Sequence, residues 1–448
     1  MTAVTAVTRL SVGDLMNFWA ELPGSPLQVG LAGVVDDAPW VDELGRPGRA
    51  AVAAWLTRRL AGVPELRRRV RWTHLGQGRP VWQTLPEVDP DRLLEVAAPG
   101  RDLSLDSFYG WAAQASTAPL GRDAPLWRMV LVPRVLGSSV GVLLVAHHAL
   151  LDGLGGAAVL GRLLAEDGPS GAVPGPGGPP LTGAVLARDN ARLRTRAVAD
   201  LARHPGSATR LLPALTESGR ALREGTAVTT LSGAASPLRQ ADVLRLDLET
   251  ARNAAHRQGV TLNDLVLAVT AAGLHAWLHA RGELRPGLTV RASVPMAVPG
   301  RAANQARMVV VPLPVAEADR TARLDAVNRA TRQLKSSDAD VAHAELTDSP
   351  LFPAWALRLG VRWLVRHGGQ QVSCFVTDVT GPAQPLTLAG GRLRQVAGFG
   401  PLAAGVRLGV TAFSCGGELA VAFVGDGTLP DWDRLVDAAA AELHRLAP

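Results

Sequence analysis

Lysine is nearly absent from this 448-residue chain: Lys335 is the only one among 46 lysines and arginines. The net charge of +6 is therefore a skew toward arginine spread along the chain, not a basic patch. Aromatic side chains are scarce too, at 4%, and Tyr109 is the single tyrosine. Stacking platforms for nucleic acid interleave aromatics with cations, so no nucleic-acid partner is expected. Cys374 and Cys415 are the only cysteines, far apart and in no metal-ligand spacing, which excludes a disulfide scaffold and a structural zinc site. A reducing cytoplasm is the expected location. The opening MTAVTAVTRLSVGDLMNF has no charged segment leading into a continuous apolar core, so no signal peptide is expected. No apolar run reaches spanning length, the best candidate being Leu265 to Leu278. Any membrane contact should be peripheral.

What is abundant is hydrophobic sequence, 47% of the chain, enough for a large core. At about 150 residues per domain the length suggests two or three domains. The clearest break is DGPSGAVPGPGGPP, Asp167 to Pro180, where proline and glycine exclude both helix and central strand. The expected division is 1–166, a linker 167–182, and 183–448. Before the linker, RMVLVP (Arg128 to Pro133) and VGVLLVA (Val140 to Ala146) read as strands joined by a turn, and Ala157 to Glu166 as a helix. Beyond it, Leu186 to Leu222 reads as helix broken at His204-Pro205-Gly206, followed by a strand, a helix ending near Gly259 and a long helix from about Leu262. TVRASVPM, RMVVVPLPV, QQVSCFVTDV, VRLGVTAFSC and ELAVAFVG read as strands, and Trp432 to Leu446 as a closing helix. Strands and helices mix in both parts, so the class is α/β or α+β with large sheets.

One stretch carries candidate chemistry. In VLLVAHHALLDGLGG a buried-looking strand ends in His147 and His148, with Asp152 and Gly153 close behind. An aspartate there can hold an imidazole nitrogen or brace the loop, leaving a histidine free to accept a proton. Equally, Asp152 can simply cap the following helix while the histidines are satisfied polar groups at a strand end.

Three other patterns count for less. Gly137 to Gly141 matches G-x-S-x-G, but a strand follows where a nucleophile elbow needs a helix. Gly153 to Ala158 matches G-x-G-x-x-A without the acidic residue that binds ribose. His275, His279 and Glu283 share a helix face and could ligate a metal, yet no second ligand motif supports them. Arg358, Arg362 and Arg366 form a basic stripe on an amphipathic helix. The ordinary reading is a solvated face over a packed one, the sharper reading an anionic membrane surface aided by Trp355 and Trp363.

The HHALLDG stretch resembles the H-H-x-x-x-D-G motif of the bifunctional wax ester synthase/diacylglycerol acyltransferase family, within the larger group of CoA-dependent acyltransferases and peptide-synthetase condensation domains. Other elements resemble that family in the same order. They are the opening Leu10 to Gly30, Pro125-Leu126-Trp127 before the histidines, Asn263-Asp264 in VTLNDLVLAV, and Asn304 in SVPMAVPGRAANQARMVVVPLPV. FVTDVTGPAQPLTLAGGRL and DGTLPDWDRL complete the series. The chain departs from the family pattern at Asp378-Val379-Thr380-Gly381-Pro382, where an asparagine-valine-proline-glycine-proline is usual. It departs again at Leu231 to Ala234, and at Leu27-Gln28, which replaces a methionine-histidine pair.

The resemblance implies a mixed α/β fold of two chloramphenicol-acetyltransferase-like subdomains, each with a mixed sheet and helices, and an active site at their interface. It implies transfer of an acyl group from acyl-CoA to the hydroxyl of a long-chain alcohol or diacylglycerol, with His148 as general base and free CoA as leaving group. Asp152 would hold the loop and the imidazole geometry, His147 would support the site, and backbone N–H groups near Gly153 to Gly156, or a side chain opposite, would meet the oxyanion. Pro125, Leu126, Trp127, Asn263, Asp264 and Asn304 would bind substrate or keep the motif's structure. For Asn263 and Asp264, helix initiation is at least as good an account. No metal and no cofactor beyond the acyl-CoA substrate is called for, since a thioester is already activated. Two rivals remain: acylation of a polar natural-product or carrier-bound acceptor, and a non-catalytic acyl-CoA or lipid binder. The partners implied are acyl-CoA and an alcohol, with peripheral contact at the inner membrane surface or a lipid droplet.

Overall fold

A computed structural model describes residues 7–447 apart from 23, 152, 169–180, 204–225, 298–305, 336–350, 352–353, 368–370 and 404. The chain first forms α1 (Val12–Trp19), β1 (Gln28–Asp36), α2 (Arg49–Gly62), β2 (Arg68–Arg71), β3 (Val81–Thr84) and β4 (Leu94–Val96). Next come α3 (Leu105–Ala115), β5 (Trp127–Val135), β6 (Ser139–His147) and α4 (Gly153–Leu164). Then follow α5 (Gly183–Arg203), β7 (Arg239–Asp247), α6 (Leu248–Arg257), α7 (Leu262–Ala280), β8 (Val290–Ala297), β9 (Ala306–Leu313), α8 (Arg320–Lys335) and α9 (Ala354–His367). The last elements are β10 (Cys374–Thr380), β11 (Leu386–Leu388), β12 (Gly391–Phe399), β13 (Leu408–Cys415), β14 (Glu418–Asp426) and α10 (Trp432–Leu446).

Two six-stranded mixed sheets result, in the orders β11-β12-β1-β6-β5-β4 and β7-β14-β13-β10-β8-β9, with β2 and β3 as a separate hairpin. Sheet membership does not follow chain order: β12, from late in the chain, crosses over to pair antiparallel with β1 and carries β11 on its outer edge. The first sheet packs one face, through Val142, Leu144 and Ala146, on α2 and α4. Its other face, through Leu143 and Val145, meets α3 and Ala420, Ala422 and Val424 of β14. The alternate residues of β14, Leu419, Val421 and Phe423, face the core around α7. Strands covered on both sides need apolar residues at every position, which is why β6 and β14 read as continuous hydrophobic runs.

β5 and β6 form a hairpin whose turn holds Leu136 and Gly137 at φ 54° and 84°. The G-x-S-x-G match is that turn. α7 begins with a capping box: the Thr261 hydroxyl accepts the Asp264 N–H at 3.2 Å, and Asp264 accepts the Thr261 N–H at 2.9 Å. The cap is Thr261, not Asn263, because Asn263 already lies within the helix. α10 packs closely on α7 at Gly273, where a Cβ would lie 2.7 Å from the Leu435 carbonyl oxygen. Among the described residues no single helix is long and apolar enough to cross a membrane, and α7 is core. On α9, Leu357 and Val361 pack toward α1, while Arg358 and Arg362 are solvated. Trp355 and Trp363 are solvated with them.

Candidate active site

β6 lies between β1 and β5, so successive N–H groups at its end point to opposite neighbours. The His147 N–H donates to the Leu126 carbonyl at 2.9 Å, and the His148 N–H to the Leu27 carbonyl at 2.8 Å. Side chains alternate as well, which separates the two imidazoles.

His147 is 4% exposed and stacks on Phe18 of α1, ring centroids 4.0 Å apart. Its Nδ1 accepts the Ala149 N–H at 3.1 Å, so the ring proton sits on Nε2, which donates to Glu21 Oε1 at 3.2 Å. Both nitrogens are occupied, and the ring fixes the turn that follows. Glu21 Oε1 also accepts the Leu27 N–H at 3.3 Å, tying the start of β1 to the same turn.

His148 instead lines an apolar cavity between the sheets. Its walls come from β1 and β6, from Gly156, Ala157 and Leu160 of α4, and from β10 and β13. Trp127 forms another wall, its indole N–H anchored to the Leu66 carbonyl at 2.7 Å. Among the described residues, Thr377 and Thr411, register partners on β10 and β13, are the only hydroxyl side chains on that lining. The geometry is an apolar cleft with, among the described residues, one imidazole and two hydroxyls, the usual make-up of a small-molecule site.

Residues 10–266 match the wax ester synthase/diacylglycerol acyltransferase catalytic domain, and residues 302–447 match the WS/DGAT C-terminal domain. The chain belongs to the wax ester synthase/diacylglycerol acyltransferase family. It is an acyltransferase of that family. A Mycobacterium tuberculosis (strain H37Rv) relative, provisionally named a diacylglycerol O-acyltransferase, is 29% identical over 98% of this chain and 90% of its own length. A Mycobacterium bovis relative with the same provisional name is 25% identical over 98% and 90%. Among solved structures, the wax ester synthase/diacylglycerol acyltransferase of Marinobacter aquaeolei VT8 superposes with a TM-score of 0.68 at 18% identity, covering 98% of each chain. The first condensation domain of the CDA synthetase superposes at 0.55 and 17% identity, covering 99% of this chain and 96% of that one. These likenesses give the fold: two mixed sheets, as in the acyltransferases and condensation domains.

The remaining family elements scatter around the cleft. Leu126 is buried against α1 and Pro125 beside it, so this element positions Trp127 and the His147 N–H. Gly153 is the first residue of α4, and Asp152 and Asn304 lie outside the described residues. Asp264 is fully buried, takes the Thr331 hydroxyl proton at 2.7 Å on Oδ1, and caps α7 with its other oxygen. Neither it nor Asn263 is on the cavity wall, and Asp264 completes the capping box that starts α7.

The departures divide in the same way. Thr377 and Val379 line the cavity, so strand alternation turns Asp378 to the opposite face of β10. Burial pushes its carboxyl up to about 6, against the pull of Arg252. Leu231 is a core residue of the second sheet, and Ser232 closes its turn by accepting the Thr229 N–H at 3.1 Å. Glu283 is held by Thr230 and Arg281, and His275 Nδ1 donates to the Val315 carbonyl at 2.8 Å, leaving that triplet a structural role. Among the described residues no group of three or more His, Cys, Asp or Glu is placed to hold a metal.

Sequence reasoning passed over Glu21, Thr377 and Thr411. Each is an ordinary polar residue in its own element, and only the packing of separate elements brings them to the histidine turn and its cavity.

Proposed function

We propose that this acyltransferase moves an acyl group from acyl-CoA to the hydroxyl of a lipid alcohol, a long-chain alcohol or diacylglycerol, with His148 as general base. The observation that carries the reading is the division of labour at the end of β6. His147 has both nitrogens engaged, whereas His148 is, among the described residues, the one imidazole on the cavity. In its neutral form His148 would take the acceptor's proton as its oxygen attacks the thioester carbonyl, and the thiolate would leave as free CoA. The negative charge on the tetrahedral carbon's oxygen would be met by backbone N–H groups in the first turn of α4, at the positive end of that helix. Gly156, on the cavity wall, supports this placement. The apolar walls suit an aliphatic chain.

A peripheral membrane contact through α9 belongs to the same reading, because its solvated face combines Trp355, Leu359 and Trp363 with Arg358 and Arg362. The test of the chemistry is thiol release from palmitoyl-CoA with hexadecanol or dioctanoylglycerol. His148→Ala should lower turnover on the order of 10²- to 10⁴-fold with an unchanged unfolding temperature. Wild-type rates of CoA release in that variant would overturn the assignment.

A further inference from the structure

Next to the His148 cavity, and sharing Phe399, Gly400 and Pro401 with it, lies a smaller one of ≈ 20 Å³. That is room for about one water-sized group. Its polar wall is Gln28, Ser116, Thr117 and Arg239. Gln28 is 4% exposed and donates from Nε2 to the Ala118 carbonyl at 3.1 Å. This bond fixes the amide's orientation, since a flipped amide would set oxygen against oxygen. The other end, Oε1, is buried and has no hydrogen-bond partner among the described residues. A buried acceptor left unpaired costs about 1–3 kcal/mol, so such a group marks a place where a donor arrives.

Ser116 asks for a donor as well. The Ser116 hydroxyl hydrogen goes to the Ala112 carbonyl at 2.8 Å, so toward the cavity it offers only a lone pair. The Thr117 hydroxyl hydrogen goes to the Gln114 carbonyl at 2.7 Å while its oxygen accepts the Gln114 side-chain N–H at 3.2 Å, so Thr117 is already satisfied in both roles. Arg239 directs its terminal N–H groups to the carbonyls of Ser236, Leu238 and Gly24 and to the Ser25 hydroxyl.

Gly30 links the two cavities. It shares a face of β1 with Gln28 and lines the His148 cavity, and a Cβ there would lie 2.7 Å from Ser116 Oγ. Only a hydrogen at position 30 leaves the Ser116 oxygen open toward that side. The departure at Gln28 therefore places an unpaired acceptor on the small cavity, one residue from the Leu27 carbonyl that holds His148.

We propose that the Gln28–Ser116 cavity is a specificity subsite for the acyl acceptor, taking a second hydroxyl carried by the same molecule, so that lipid diols and monoesters of polyols are preferred to simple alkanols. This rests on the acyl transfer proposed above and names its acceptor class. Gln28 acts here as a specificity residue and takes no part in proton transfer.

The experiment compares kcat/KM for 1-dodecanol and 1,2-dodecanediol with octanoyl-CoA as donor, read as thiol release by the full chain. The wild-type protein should favour the diol by about tenfold or more, as one added buried hydrogen bond allows. In Gln28→Leu the diol-to-alkanol ratio should fall toward one. If Gln28→Leu does not fold, Ser116→Ala reads the same ratio with a smaller change. Equal use of the two alcohols by the wild type, or a parallel loss of both in the variants, as a bound structural water would produce, overturns the subsite while acyl transfer stands. Absence of thiol release with every alcohol overturns the acyl-transfer reading and the subsite with it.

Discussion

His147 and His148 are neighbours in sequence with opposite physical situations. Stacking on Phe18 and bonds to Glu21 and the Ala149 N–H hold the first, while the second is carried into the cleft by the turn that the first fixes. Glu21 is thus a positioning residue, reaching His148 through its neighbour. Glu21→Leu would leave the buried His147 Nε2–H without its acceptor, a loss of about 1–3 kcal/mol, whereas Glu21→Gln keeps an oxygen in reach. Thermal unfolding should show a clear drop for the leucine variant and little for the glutamine one, and CoA release should fall in the same order. A leucine variant as stable and as active as wild type would remove Glu21 from the site. At this scale the sequence made the histidines, Asp152 and Trp127 conspicuous through spacing and order. Gln28 stood out only as a departure, because an unpaired amide oxygen is a property of its surroundings and leaves no local pattern.

Among the elements, β10 shows how register distributes roles along one strand. Thr377 and Val379 face the cleft, and Asp378 between them faces the α7 side with its carboxyl raised to about 6 by burial. The native chain therefore keeps that proton at pH values where the unfolded chain, with an aspartate near 3.9, has lost it. The contribution to stability is complete below about pH 4 and is lost as the pH rises through 6. Asp378→Asn, the usual family residue, should raise the unfolding temperature at pH 8 relative to wild type and change it little at pH 4. The same difference at both pH values would show that the carboxyl does not titrate in this way. β6, β14 and α7 were legible in the sequence, since burial on both faces writes an unbroken apolar run, although the cap of α7 was read at Asn263 and lies at Thr261. β12 was not: Arg392 and Arg394 interrupt its apolar pattern with solvated positions, and its partner β1 is hundreds of residues away. Its crossing into the first sheet helps close the cleft, with Gly398 and Phe399 on the wall.

At the scale of the whole molecule, one group of solvated apolar side chains lies on α9, the helix packed on α1, whose Phe18 stacks on His147. α9 exposes Trp355, Leu359 and Trp363 at 66%, 60% and 61%, each four residues from the next and so on one face, with Arg358 and Arg362 beside them. The helix under them, α1, exposes Met16 and carries Phe18, which stacks on His147 and meets the edge of the exposed Trp72. Ordinary soluble surfaces scatter such residues singly, so aligned tryptophans flanked by arginine suit an interface that is apolar below and anionic at its surface. A protein lying on that face would hold its cleft one helix away from a reservoir of lipid alcohol. Cosedimentation with vesicles containing an anionic phospholipid should show binding that weakens with salt, since the arginine contribution is screened over about 10 Å at 0.1 M. Trp355→Ser with Trp363→Ser should cut that binding at least tenfold, and Arg358→Glu with Arg362→Glu should remove most of its salt dependence. With a water-dispersed short-chain alcohol the tryptophan pair should turn over as wild type does, because neither tryptophan touches the cleft. With vesicle-borne alcohol it should slow in proportion to the lost binding. Undiminished binding by the tryptophan variant would mean that this face meets water alone and that the acceptor reaches His148 by another route.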